Sequence, residues 1–131
     1  MQQRNLCLTS FMTASYTITN GWANITGLVI TIPEDGIFDI KTTLTSQQNH
    51  STDQSIFRLA INGNPIGNEK VFAYTPASVS YIPVTLSQDN IMLKTGDVVS
   101  VQTAYLSGTD GVVYYSNAES VASLKIIKRG L

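Results

Sequence analysis

Charge is scarce in this sequence. Only 13% of its 131 residues are Asp, Glu, Lys or Arg, against about a quarter in an average soluble domain. Thr, Ser, Asn and Gln make up the difference. The formal net charge is −1, and the basic residues Arg58, Lys70 and Lys94 are scattered. Lys125, Lys128 and Arg129 alone sit close together, at the solvated end of the last apolar run. This excludes the clustered basic footprint of a nucleic-acid binder. So little surface charge also gives little to oppose association. Faces covered by further copies of the chain, or by a partner, are therefore expected.

Cysteine and histidine are nearly absent, with one of each. Cys7 has no partner for an intrachain disulfide, and its place in Leu6-Cys7-Leu8 predicts a buried free thiol. His50 lies in the polar stretch Gln47-Gln48-Asn49-His50-Ser51 and reads as a solvated residue. A catalytic histidine needs packing and a second hydrogen bond to hold it, and neither is in prospect there. One Cys and one His do not make a structural zinc site within a single copy. Glu34 and Asp35 read as part of a turn in preference to an acid/base or calcium pair. Asp110 lies in a glycine-flanked loop without a calcium-loop pattern. The expectation is a non-enzymatic chain with no cofactor and no metal. The sequons at Asn24 and Asn49 carry no weight, since so much Asn, Ser and Thr produces them by chance.

Long apolar runs are missing too. None approaches the roughly 18 residues of a membrane helix, so no membrane insertion is expected. Thr9, Ser10, Thr13 and Ser15 interrupt the first twenty residues, so no secretion signal is read there.

Helical periodicity is the last absence, and short β-branched and aromatic runs punctuated by Gly, Pro, Asn and Asp stand in its place. Phe38, Ile40 and Leu44 share one face of a run. Phe57, Leu59 and Ile61 share another, with Arg58 opposed. Val99, Val101 and Tyr105 alternate likewise, as do Ala122, Leu124 and Ile126. Such period-two patterning belongs to half-buried strands. Pro33-Glu34-Asp35-Gly36 reads as a turn, Asn62-Gly63 as a tight hairpin, and Thr95-Gly96-Asp97 as a chain reversal. Gly36 and Gly96 are both expected at positive φ. Ser46 to Ser55 is wholly polar and reads as an exposed mobile loop; Ser107 to Gly111 reads as a second loop. The economical architecture is all-β: one jelly-roll sandwich of about ten antiparallel strands over residues 1–131, with residues 1–5 as a flexible arm.

Four tyrosines, Tyr81, Tyr105, Tyr114 and Tyr115, are candidates for subunit or partner contact, because Tyr joins a large rigid area to one polar group. Adjacent Tyr114 and Tyr115 cannot both face one core. The arm residues Gln2, Gln3, Arg4 and Asn5 are candidates for anchoring to a larger particle.

From Trp22 onward the order of signals resembles the tumour necrosis factor and complement globular-head superfamily. The matching pieces are Ile32-Pro33-Glu34-Asp35-Gly36-Ile37-Phe38, Leu59-Ala60-Ile61-Asn62-Gly63-Asn64-Pro65-Ile66, Ile91-Met92-Leu93-Lys94-Thr95-Gly96-Asp97-Val98-Val99 and Val121-Ala122-Ser123-Leu124-Lys125-Ile126-Ile127. The resemblance implies a ten-strand jelly roll that forms a homotrimer. With its low charge and no stalk or signal in view, the chain is similar to virion accessory proteins of tailed bacteriophages. The function then expected is a trimeric virion surface protein, assembled in the host cytoplasm and bound to other virion proteins as a capsid decoration or head-fibre subunit. The alternative is the tip of a host-recognition fibre that binds a surface glycan or protein.

Overall fold

The computed structural model describes residues 6–48, 54–73, 80–107, 111–115 and 122–130. The described residues form ten strands: β1 (Cys7–Phe11), β2 (Tyr16–Thr17), β3 (Ala23–Thr31), β4 (Gly36–Gln48), β5 (Gln54–Ile61), β6 (Asn64–Ala73), β7 (Ser80–Leu93), β8 (Val98–Ser107), β9 (Val112–Val113) and β10 (Ser123–Gly130). All strand pairs are antiparallel. The strands form two sheets, a jelly-roll sandwich.

The front sheet is organised around β4. One edge of β4 pairs with β7 along its whole length, from Gly36↔Leu93 to Gln48↔Ser80. The other edge is shared: β10 takes Ile37 to Thr43, and β9 takes Ser46 and Gln47. β1 lies outside β10, and β2 outside β9. The break between these pieces is bridged by hydrogen bonds from Met12 N to the Ala122 carbonyl, 3.1 Å, and from Tyr115 N to Ser15 Oγ, 3.0 Å. The back sheet runs β3-β8-β5-β6.

The core lies where the inward phases of the two sheets meet. Phe38, Ile40 and Leu44 of β4, Val84 and Leu86 of β7, and Leu124 and Ile126 of β10 pack against Ile25, Leu28, Phe57, Leu59, Val99 and Val101 of the back sheet. Each large side chain buried there contributes about 1.5–3 kcal/mol. Phe38 and Phe57 are fully buried, one from each sheet, so the phase of the alternation fixes which face of each sheet is left outside.

One end of the sandwich is braced by its turns. Asp97 Oδ2 accepts from Lys94 N at 2.8 Å and closes the β7–β8 turn, while its Oδ1 accepts from Asn62 Nδ2 at 3.0 Å. Asn62 Oδ1 accepts from Val98 N at 2.9 Å, which ties the β5–β6 hairpin to the start of β8. Gly96 has a φ of +92°, the left-handed conformation this reversal requires. Gly36 departs from expectation, since it has no positive φ. Its constraint is space: a Cβ there would stand 2.7 Å from the Gly130 carbonyl oxygen and 2.5 Å from Lys128 Cε.

Three further expectations change. Cys7 is exposed, because it shares the outward phase of β1 with Thr9 and Phe11 while Leu6 and Leu8 turn toward the core. Ser46 and Ser55 lie inside β4 and β5 and are fully buried; the strands run further into that polar stretch than composition suggests. Ile91-Met92-Leu93 is no separate short run but the end of the 14-residue β7. The arm candidates Gln2, Gln3, Arg4 and Asn5, together with His50 and Asp110, lie outside the described residues.

Candidate interaction surface

The outward phase of the front sheet forms a flat face, and its registers arrange the side chains in rows. Phe11 of β1 stands beside Ser123 of β10, Thr43 of β4 and Thr85 of β7. The next row holds Thr9, Lys125, Lys41 and Ser87. The row below holds Cys7, Ile127 and Asp39. At one end Met92 pairs with Ile37, and at the other Tyr81 pairs with Gln47. Three large apolar side chains are widely open here: Met92 at 74% and Phe11 and Tyr81 at 54% exposure. Hydroxyl residues, the neighbouring pair Lys41 and Lys125, and Asp39 stand in the rows between them. Three open apolar side chains on one flat face mark it as a candidate contact surface.

The four tyrosine candidates divide between two environments. Tyr81 and Tyr114 come together, with ring centroids 4.9 Å apart and planes at 66°, an edge-to-face pair. Tyr114 is fixed by its N–H, which donates to the Thr45 carbonyl at 2.9 Å. Tyr105 and Tyr115 instead pack against the core. Adjacent Tyr114 and Tyr115 thus take opposite faces, as the period of two requires. Sequence reasoning missed Phe11 and Met92. The signal was present in their phase: Phe11 alternates with Leu8 and Met12, and Met92 with Ile91 and Leu93, so both point away from the core.

The back sheet has a different outer face. Arg58 stacks its guanidinium 3.9 Å from the centre of the Trp22 ring, a cation–π contact. Its Nε donates to Gln102 Oε1 at 2.8 Å, and Gln102 Nε2 donates to Asn24 Oδ1 at 3.0 Å. Ala60 and Ser100 beside this chain of contacts are fully buried.

The described groups do not assemble a catalytic constellation. Glu34 pairs with Lys128 at 3.5 Å. Asp35 Oδ1 accepts from Thr95 N at 2.8 Å and Thr95 Oγ1 at 3.0 Å; these bonds hold its carboxyl below the ordinary value of 3.8. Asp97 is lowered by its bond from the Lys94 N–H and then by that from Asn62. Both carboxylates are committed to turns. Among the described residues no three His, Cys, Asp or Glu side chains gather in a way that could hold a metal ion. A cleft of about 230 Å³ between β6 and β7 is lined by Leu59, Ile66, Asn68 and residues 85–88, with no acid or base among them.

No protein-family model matches the chain, and no curated protein matches it in sequence. Solved structures do match in shape. The structure of Eiger TNF from S. frugiperda superposes with a TM-score of 0.63 over 98% of this chain and 94% of that one, at 9% sequence identity. At that identity the likeness concerns the fold: this chain is a tumour necrosis factor-like jelly roll.

Proposed function

We propose that this chain is a non-enzymatic structural subunit that closes into a homotrimer through the outer face of its front sheet. The observation that carries the reading is the set Phe11, Tyr81 and Met92, all widely exposed on one flat face. Large rigid side chains exposed on a sheet with few charges favour burial against a copy. The trimer's setting is a bacteriophage particle, where the chain serves as a capsid decoration or head-fibre subunit. The support for that setting is the low-charge, Thr-, Ser- and Asn-rich sequence and its resemblance to virion accessory proteins. Residues 2–5 are the proposed anchor to other virion proteins, three arms per trimer acting through effective concentration.

Light scattering on the purified chain tests the assembly, with an expected mass of about three times 14.2 kDa. A stable monomer at micromolar concentration overturns it. Co-sedimentation of the trimer with particles lacking the protein tests the setting, and deletion of residues 2–5 is expected to weaken that binding while the trimer persists. Undiminished binding by the truncated trimer moves the contact to the loops around residues 47–55 and 107–111, as a host-recognition tip would have it.

A further inference from the structure

Most described charges on or beside the front face already have partners. Arg129 Nε lies 3.2 Å from Asp39 Oδ2, and Lys128 Nζ lies 3.5 Å from Glu34 Oε1. Lys41 and Lys125 are different. They are direct cross-strand neighbours on β4 and β10, and both are exposed. Thr9 stands opposite Lys125 on one side, and Ser87 opposite Lys41 on the other. Neither ammonium has an ion-pair partner among the described residues. Like charges directly opposed on one sheet face destabilise it. In a chain this poor in charge, two cations in the middle of a polar face call for an anionic group from outside.

The complementary charge is on the same sheet, at its edge. Among the acidic side chains that are described, Asp89 alone makes neither a hydrogen bond nor an ion pair. It sits on β7, which among the described residues pairs only with β4. The ladder is irregular there, with Asp89 and Asn90 falling between the pairs Ile40↔Gln88 and Phe38↔Ile91, and Asn90 has a φ of +58°. Such a bulge re-aims the residues it carries. Within one chain Asp89 follows Ser87, the cross-strand neighbour of Lys41, by two positions, yet no ion pair joins it to Lys41.

We propose that Lys41 and Lys125 are the receiving half of an intersubunit ion-pair site, filled by the Asp89 carboxylate of a neighbouring copy of this chain. The proposal rests on the homotrimer proposed above and specifies its contact. A two-fold, face-to-face contact through this region would set four ammonium groups against one another. An edge-on-face contact sets the β7 edge of each copy on the lysine row of the next, joining the unpaired anion to the unpaired cations. Contacts of that head-to-tail kind close into rings, so the charge pattern selects a cyclic assembly over a two-fold dimer.

Charge reversal and its rescue test this, read by sedimentation of the full chain. Asp89→Lys and the pair Lys41→Asp with Lys125→Asp are each expected to raise the trimer dissociation constant by about tenfold or more. The chain carrying all three substitutions is expected to return to within about threefold of the parent. Asp89→Asn, which alters shape least, is expected to give a smaller loss of the same sign. The parent trimer is expected to weaken between about 0.05 M and about 0.5 M salt. A parent that is monomeric removes the trimer reading itself. A parent that is trimeric, with dissociation unmoved by Asp89→Lys or not rescued in the triple variant, overturns this contact and leaves the trimer standing. A change confined to the melting temperature, with no change in mass, assigns Asp89 to its own chain and also overturns it.

Discussion

The two outer faces of this sandwich solve the same problem in opposite ways. Each sheet has one side committed to the core and must do something with the other. On the back sheet the middle of the exposed phase is closed by its own side chains, while Val29 and Leu106 stay open. Arg58 lies over Trp22, Gln102 bridges Arg58 and Asn24, and Ala60 and Ser100 disappear beneath their neighbours. On the front sheet the same phase is left open, with Phe11, Tyr81 and Met92 in solvent and two lysines without an ion-pair partner among the described residues. A face that covers most of itself has less to gain from a partner. A face with open apolar anchors gains by being covered. The lesson is that composition averaged over the chain conceals the division; it appears only when residues are sorted by strand and phase.

The largest expected effect comes from removing the anchors. Phe11→Ser combined with Tyr81→Ser is expected to weaken assembly by about 2–4 kcal/mol, a rise of about 30- to 1,000-fold in the dissociation constant. The folded monomer should lose no more than about 1.5 kcal/mol, chiefly the edge-to-face contact of Tyr81 with Tyr114. Sedimentation and urea unfolding of the same sample separate the two. If unfolding shifts strongly while the mass stays that of the parent, the front face is structural and the contrast with the back face dissolves.

Much of this was legible in the sequence, and most of the failures share a cause. The inward sets Phe38-Ile40-Leu44, Phe57-Leu59-Ile61 and Ala122-Leu124-Ile126 fall in the core or against it, because a period of two is a local property. The Asn62-Gly63 hairpin forms where turn chemistry puts it, with φ values of +52° and +82°. The exposure of Cys7 follows from the phase of β1, with Leu6 and Leu8 turned inward, which the apolar composition of Leu6-Cys7-Leu8 masks. Position between strands is less accessible. Asp35 bonds to Thr95, and Asp97 to Asn62, across 60 and 35 residues. Turn propensity predicts each reversal but not that they brace one another. The lysine pair and the joining of Tyr81 to Tyr114 were hidden for the same reason: both are products of pairing, not of spacing.

A middle-sized effect tests the back face. Gln102→Leu keeps the volume of a side chain only 7% exposed but removes the acceptor of Arg58 Nε and the donor to Asn24 Oδ1. Two lost hydrogen bonds, one of them charge-assisted, with a half-buried Arg58 and an exposed Asn24 as partners, are expected to cost about 1–3 kcal/mol of folding stability. The oligomer mass at equal protein concentration should not change, since nothing on the front sheet is touched. Dissociation of the variant at a concentration where it remains folded would show the two faces to be coupled.

The smallest effect lies at the braced end, where the sheets join and where both faces should respond together. Asp35 belongs to the β3–β4 connection and bonds to Thr95 in the β7–β8 turn; Asp97 belongs to that turn and bonds to Asn62 of the β5–β6 hairpin. Each carboxyl is held below its ordinary value of 3.8, chiefly by a backbone N–H that donates to the ionised form. Unfolding releases these donors and restores the ordinary value. A carboxyl whose folded value is the lower one stabilises the fold fully at pH above 3.8, and that contribution fades as the pH falls through the folded value. Both groups are open to solvent, so the change should be gradual and modest. Urea unfolding at a series of pH values is expected to show stability flat near neutrality and declining below 3.8. Asp35→Asn with Asp97→Asn should lower stability at neutral pH and flatten that decline, because the asparagine oxygen still accepts but carries no charge to titrate. A decline just as steep in the double variant would assign the acid sensitivity to other carboxylates, and the turn end would then act by shape alone.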